Sequence, residues 1–300
     1  MSGGSALGEA AAAGKFLLTA DVTPPRGTVL QLLKSQADTL RNRVHAVNVT
    51  ENPGASVRMC SLAGSIALLK WGIEPVMQVV CRGRNRLALQ SDLLGAAGLG
   101  VRNLLCLTGD EVALGGHPVS ANLLDFDAVG LLRAAHLMRT EGRLTDGEEI
   151  QGACDFFLGA AADPYLSVEH EFGRIETKLQ AGADFLQTQP VFDPEGFRAW
   201  LVALEAHGLL GRMSLLAGIL PLRGAGSARY LASRVPGVNI PERVVKRLEN
   251  AAAEAAEGIE IAVEVAREVM LMPGVTGLHI MAGGWAEAAS LILEALALAP

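Results

Sequence analysis

Phe185-Leu186-Gln187-Thr188-Gln189, closed by Pro190 and followed by the helix-like stretch Pro194–His207, holds in miniature the pattern that decides the fold. A short apolar run that ends abruptly in polar groups is how a buried parallel strand reads. The amphipathic stretch behind it is the helix of a βα unit. Working outward, seven more such runs appear: Phe16–Asp21, His45–Thr50, Pro75–Val80, Asn103–Thr108, Phe156–Ala161, Ser214–Leu220 and Leu278–Ala282. Between them lie helix-like stretches at Thr28–Arg41, Val57–Trp71, Leu87–Gly98, Phe126–Thr140, Val168–Ala181, Ala225–Arg234, Pro241–Leu271 and Ala286–Leu298. Eight strands that are equally apolar, none with edge features, predict a closed α/β architecture, a single (β/α)8 TIM barrel, over an open sheet. Residues 1–300 read as one such domain, with residues 1–14 a flexible leader or a short N-terminal helix.

Bulk properties agree with this. Half of the 300 residues are hydrophobic and 19% are charged, enough to bury a large core. A net charge of −7 argues against nucleic acid or an anionic membrane surface as the partner and favours a small molecule. The N-terminus has no positively charged region before an apolar stretch, and no apolar run reaches the length of a membrane helix, so the expected compartment is the cytoplasm. Cys60, Cys81, Cys106 and Cys154 are far apart, form no C-x-x-C pair, and read as reduced core or near-core thiols.

The strand ends carry the chemistry. Apolar residues give way there to Asp21, Thr50, Gln78, Thr108-Gly109-Asp110, Asp163, Gln187-Thr188-Gln189 and Pro221-Leu222-Arg223. In (β/α)8 enzymes this C-terminal face is the active face. Asp21, Thr50 and Asp110 serve equally well as helix caps or turn residues. Gln78, Gln187 and Gln189 favour a site, because an amide inside an apolar strand must satisfy both its donor and its acceptor. Arg82, Arg84 and Arg86 follow the third strand, either as a phosphate grip or as a solvated helix start. Gly224-Ala225-Gly226-Ser227 lies where barrels often hold phosphate. His279 reads as a satisfied core histidine, no pair of histidines is spaced to bind metal, and no G-x-S-x-G elbow is present. Carboxylates, amides and a possible phosphate grip suit proton transfer beside an organic cofactor.

Taken together and in order, several stretches resemble the methylenetetrahydrofolate reductase family over nearly the whole chain. They are Asp21-Val22-Thr23-Pro24-Pro25-Arg26, Val49-Thr50, Arg84-Asn85-Arg86 with Leu89-Gln90-Ser91-Asp92-Leu93-Leu94-Gly95, and Leu107-Thr108-Gly109-Asp110. To these are added Gly159-Ala160-Ala161-Ala162, Lys178-Leu179-Gln180-Ala181-Gly182-Ala183-Asp184, Gln187-Thr188-Gln189-Pro190-Val191-Phe192-Asp193, Gly218-Ile219-Leu220-Pro221 and His279-Ile280-Met281. The resemblance implies a flavin-containing (β/α)8 barrel, an oxidoreductase that reduces 5,10-methylenetetrahydrofolate to 5-methyltetrahydrofolate by hydride transfer from reduced FAD.

It also implies roles for single residues. Asp21 stands for the general acid that helps the imidazolidine ring open, where the family has Glu. Thr50 falls beside flavin and nicotinamide, Asp110 near the flavin pyrimidine edge, and Gln189 on the pterin. Gln78 and Lys178 match cofactor-contacting positions, and Thr108, Gly109, Ala162, Asp163 and Glu171 fall on or near the cofactor lining. Ser227 and Trp285 stand at substrate positions. Better-known members carry an Arg near Trp285 that holds the folate tail, which leaves Arg223 as the candidate for that task here. The implied electron donor is NADH, NADPH or an electron-donating protein partner, and a homo-oligomer is expected. Two other readings stay open: a non-redox folate-binding barrel, such as a pterin methyl-transfer or carrier component, and a degenerate partner subunit.

Overall fold

The apolar runs fold as their periodicity predicts. The computed structural model describes residues 4–111, 115–117, 123–235 and 237–300. Strands β1 (Leu17–Val22), β2 (Ala46–Val49), β3 (Pro75–Val80), β4 (Asn103–Leu107), β5 (Phe157–Ala162), β6 (Phe185–Pro190), β7 (Ser214–Ile219) and β8 (Gly277–Ile280) pair in parallel in chain order. Thr19 beside His279 closes β8 back onto β1. Helices α2 (Gln31–Leu40), α3 (Ser61–Lys70), α4 (Arg86–Gly98), α5 (Ala128–Thr140), α6 (Val168–Gln180) and α7 (Pro194–Ala206) alternate with the strands. Three helices, α8 (Ala225–Arg234), α9 (Glu242–Glu249) and α10 (Glu254–Val269), separate β7 from β8, and α11 (Ala286–Ala295) ends the chain.

The sequence reads Pro241–Leu271 as one helix, and the structure breaks it in two. The apolar period runs on without a Gly or Pro to mark the break, but Asn250 stops α9 by donating its amide to the Lys246 carbonyl at 2.9 Å. Arg247 then reaches over to Glu257 and Glu264 of α10. Before the barrel, α1 (Ala6–Ala12) is capped by Ser5, and its Leu7 and Ala10 are buried. The first three residues of the leader lie outside the described residues.

Strand alternation sorts the core into an outer shell and a lumen. Leu18, Ala20 and Val22 pack outward with residues of the helices, whereas Leu17, Ala46, Val76, Leu105, Phe157, Phe185 and Leu216 fill the lumen floor against Leu7 and Ala10. One step above that apolar floor the lumen turns polar. Asn48 donates to the Gln187 Oε1 at 2.9 Å, Gln187 Nε2 donates to the Thr19 hydroxyl at 3.1 Å, and Thr19 Oγ1 lies 3.0 Å from His279 Nδ1. Burial pushes His279 down to about 3, so the ring is neutral.

His279 is therefore the satisfied core histidine the sequence suggests. Gln187 belongs with it in the interior and not at the mouth, which corrects its reading as a site residue. Gln187→Leu should leave the Asn48 amide and the Thr19 hydroxyl short of partners and cost about 2 kcal/mol or more, read as a lowered urea midpoint. Of the cysteines, Cys81, Cys106 and Cys154 are buried and Cys60 is exposed, so the core reading fails for Cys60 at the start of α3. No helix among the described residues is long and apolar enough to cross a membrane.

Candidate active site at the barrel mouth

The C-terminal strand ends bring most of the candidate residues to one rim. Asp21 continues the inward face of Leu17 and Thr19 and arrives half-buried at the mouth. Its Oδ1 accepts the Gly283 N–H at 3.0 Å. Desolvation pushes the carboxyl up to about 6, against the lowering pull of the Gly283 and Ala282 backbone N–H groups. An acid poised there is protonated often enough, near neutral pH, to give a proton away. Thr50 is buried beside it at the end of β2, with its hydroxyl donating to the Val22 carbonyl at 3.3 Å. Gln78 is half-buried on β3, and its carbonyl accepts the Ser61 hydroxyl at 2.6 Å.

The β4 end is tied to the β2 loop. Asp110 accepts the Gly54 N–H at 2.7 Å, and the Arg82 guanidinium donates to the Asp110 and Asn52 carbonyls at 3.0 and 3.1 Å. Gly109 turns the chain there at φ 97°. Arg84 pairs with Asp92 and Arg86 with both oxygens of Asp125. All three arginines are thus engaged by the chain's own acceptors, which favours a helix start over a phosphate grip. The same holds at α8, where the Glu254 carboxylate accepts the Ala225 N–H at 2.7 Å and occupies the helix start that an anion would need. Ser227, in that first turn, donates to the Gly224 carbonyl at 2.7 Å.

A separate cavity of about 330 Å³ opens between α5 and α6. Thr108, Asp127, His170, Arg174, Thr177 and Lys178 contribute its polar wall. Thr108 Oγ1 accepts the Ala128 N–H at 3.2 Å and so helps cap α5. Lys178 is buried, donates to the Ala161 carbonyl at 2.7 Å, and has its pKa lowered by that burial, with Glu171 pulling the other way. Glu171 is completely buried. One oxygen accepts the Asp163 N–H at 2.8 Å; the other makes no hydrogen bond and lies 3.4 Å from Arg174. Asp163 in turn accepts from the Tyr165 N–H at 3.0 Å.

A wall of Arg, Lys, Thr and His donors suits the phosphates of a nucleotide-type cofactor. Sequence reading missed Asp127, His170, Arg174 and Thr177. The signal was present, since Glu171, Arg174 and Lys178 recur three and four residues apart and so share one face of α6.

Three further candidates complete the set. Ala162 packs its side chain in the shell between barrel and helices, so only its backbone borders the mouth. Gln189 is half-buried on β6, beyond an irregularity in the ladder with β7. Trp285 precedes α11, and the exposed Arg223 guanidinium lies over its ring at 4.6 Å.

Comparison with known proteins gives the chain its relatives. Methylenetetrahydrofolate reductase 1 of Schizosaccharomyces pombe is 24% identical over 282 residues, covering 92% of this chain and 45% of that protein. Methylenetetrahydrofolate reductase 2 of the same yeast is 25% identical over 244 residues, covering 74% of this chain and 35% of that protein. The chain therefore spans less than half the length of these relatives. Among solved structures, an uncharacterized protein from Clostridium thermocellum that binds two copies of 5-methyl-5,6,7,8-tetrahydrofolic acid superposes with a TM-score of 0.69 at 14% identity, over 97% of this chain and 98% of that one. Oxaloacetate acetylhydrolase superposes with a TM-score of 0.51 at 14% identity, over 95% and 81%. At such identities the structures speak to the fold alone. The sequence model of methylenetetrahydrofolate reductase, however, matches residues 6–297, and with that match the chain belongs to the methylenetetrahydrofolate reductase family.

Proposed function

We propose that this chain reduces 5,10-methylenetetrahydrofolate to 5-methyltetrahydrofolate with bound FAD as the hydride carrier. The observation that carries the reading is Asp21, a desolvated carboxyl titrating near 6 at the mouth of a barrel of this family. Asp21 protonates the imidazolidine ring nitrogen that leaves when the ring opens, and the substrate becomes a 5-iminium cation able to accept hydride. Flavin, when bound, would supply that hydride, with which the methylene carbon becomes the methyl group. The proton lost by Asp21 is restored from solvent at the rim.

The other residues hold and orient. Gln189 pairs its amide with the pterin edge. Asp110, half-buried at the rim and tied to the β2 loop, sets negative charge beside the cofactor ring. Thr50 and Gln78 line the lumen side, and Thr108, Gly109, the Ala162 backbone, Asp163, Glu171 and Lys178 hold the rest of the cofactor along the α5–α6 cavity. Ser227 and the Arg223–Trp285 pair border the substrate's outer part. Aspartate is one methylene shorter than the family glutamate, so the substrate sits closer to β1 or a water relays the proton.

The deciding experiment is a visible spectrum of the purified protein, followed by anaerobic addition of NADH and then methylenetetrahydrofolate. Flavin bands that bleach with the first and return with the second are the expected outcome. Bands that NADH and NADPH leave unbleached assign the electrons to a protein partner. A colourless protein that FAD cannot reconstitute overturns the redox reading and leaves a folate-binding barrel.

A further inference from the structure

Strand β6 leaves the regular ladder just where it presents Gln189. Residues Phe185, Leu186 and Gln187 lie opposite Ser214, Leu215 and Leu216 of β7, and pairing resumes with Pro190 opposite Gly218. Three steps along β6 thus face two along β7, which is a bulge of one residue. The Thr188 side chain sits in the gap. Its hydroxyl accepts the Gly218 N–H at 2.9 Å, a proton that a regular ladder would give to a main-chain carbonyl, and donates to the Gln189 carbonyl at 2.8 Å. Gly218 lets the strands close up around it, since a Cβ there would lie 2.5 Å from the Thr188 carbonyl oxygen. From the other side, Gly237 in the turn between α8 and α9, at φ 79°, backs directly onto the Gln189 amide. A Cβ at that position would come within 2.9 Å of Cδ and 3.0 Å of Nε2.

We propose that Thr188 is a positioning residue that aims the Gln189 amide at the pterin edge of the folate, with Gly237 as its backstop. The proposal rests on the reading of reduced folate as the substrate. The Thr188 hydroxyl fixes the Gln189 main chain through its carbonyl, and Gly237 limits where the side-chain amide can swing, so the amide loses less freedom when the ligand arrives and its hydrogen bonds contribute to affinity more fully than those of a free rotor. Thr188 is 1% exposed, so it acts through Gln189 and does not itself meet the ligand.

The test compares Thr188→Val, which keeps the shape and removes the hydroxyl, with Thr188→Ser, which restores it. In Thr188→Val the KM and the Kd for the folate should rise by about tenfold or more, while flavin content and the rate of anaerobic flavin reduction stay within about twofold of the parent chain. Thr188→Ser should return the folate constants to within about threefold. Gly237→Ala, which leaves the bulge untouched, should raise the same constants and provides the answer where Thr188→Val fails to fold. A crystal structure of either variant should show the amide turned from its place. Unchanged folate constants, or an equal loss in both half-reactions that Ser does not rescue, would overturn the proposal. If the parent chain binds no folate at all, the substrate reading falls first, and the crystal structures alone then decide: Gln189 unmoved in Thr188→Val and Gly237→Ala sinks the aiming role.

Discussion

Asp21→Asn is expected to slow folate reduction by about 10²–10⁴-fold and to leave flavin reduction near the parent rate, because only the first half-reaction consumes an acid. The same substitution should stabilise the protein, and the sign follows from linkage. The folded carboxyl titrates near 6, against 3.8 for an ordinary aspartate, with burial as the leading cause. The folded state therefore holds this proton more tightly than the unfolded chain. That contribution to stability is complete below about pH 4 and is lost as pH rises through about 6. Asparagine titrates nowhere in this range, so the two proteins should melt together near pH 4 and draw apart between 4 and 6, with Asp21→Asn the more stable at pH 8. The shift corresponds to about 3 kcal/mol at most, and solvent at the half-open mouth reduces this to about 1–2 kcal/mol. Melting curves across pH read it directly. A difference that does not vary with pH would mean the carboxyl is not desolvated, and equal loss of both half-reactions would remove Asp21 from the acid role. In the parent chain, folate reduction should decline as pH rises through about 6.

How much of this was legible in the sequence depends on what each residue's role is written in. Strand positions were legible because a parallel barrel strand is buried on both faces, so the run beginning at Asn103 or Ser214 has no polar alternation to blur it. The mouth was legible for the same reason, since the first polar residue after each run has to lie at a strand end. Partner choice was not legible. Nothing in Arg82, Arg84 and Arg86 announces that Asp110, Asp92 and Asp125 take them up, because those contacts join segments distant in the chain or folded by loops. Gln187 and Gln189 look alike in sequence, yet one completes a lumen network with Asn48 and Thr19, and the other reaches the rim. The bulge between them, with one extra residue in β6, carries the strand out of simple alternation. Alternation read straight through also hides Ala162, which faces outward while the carbonyl of Ala161 receives Lys178. The comparisons bear out the family and the barrel.

Lys178→Met should give a protein that purifies without flavin and is less stable by about 2–4 kcal/mol. The two effects have different origins, and a second substitution separates them. Lys178 places a buried cation between the Ala161 carbonyl and the α5–α6 cavity, close enough to Glu171 for each charge to ease the other's burial. Removing the cation leaves the completely buried Glu171 with Arg174 at 3.4 Å as its remaining counter-charge. Adding Glu171→Gln removes that charge while its amide oxygen can still accept the Asp163 N–H, so the double variant should recover most of the lost stability. It should not recover flavin, because the positive charge proposed to face the cofactor phosphates is still missing. Urea midpoints and the ratio of flavin to protein absorbance measure the two outcomes independently. Flavin retained at the parent level in Lys178→Met would exclude this cavity as the cofactor site. A double variant no more stable than Lys178→Met would show that Lys178 acts on the fold through the Ala161 carbonyl and not through Glu171. Flavin loss together with recovered stability would tie the lysine to the cofactor and the carboxylate to the lysine, which is the division of labour that a buried, partly compensated pair beside a donor-rich cavity implies.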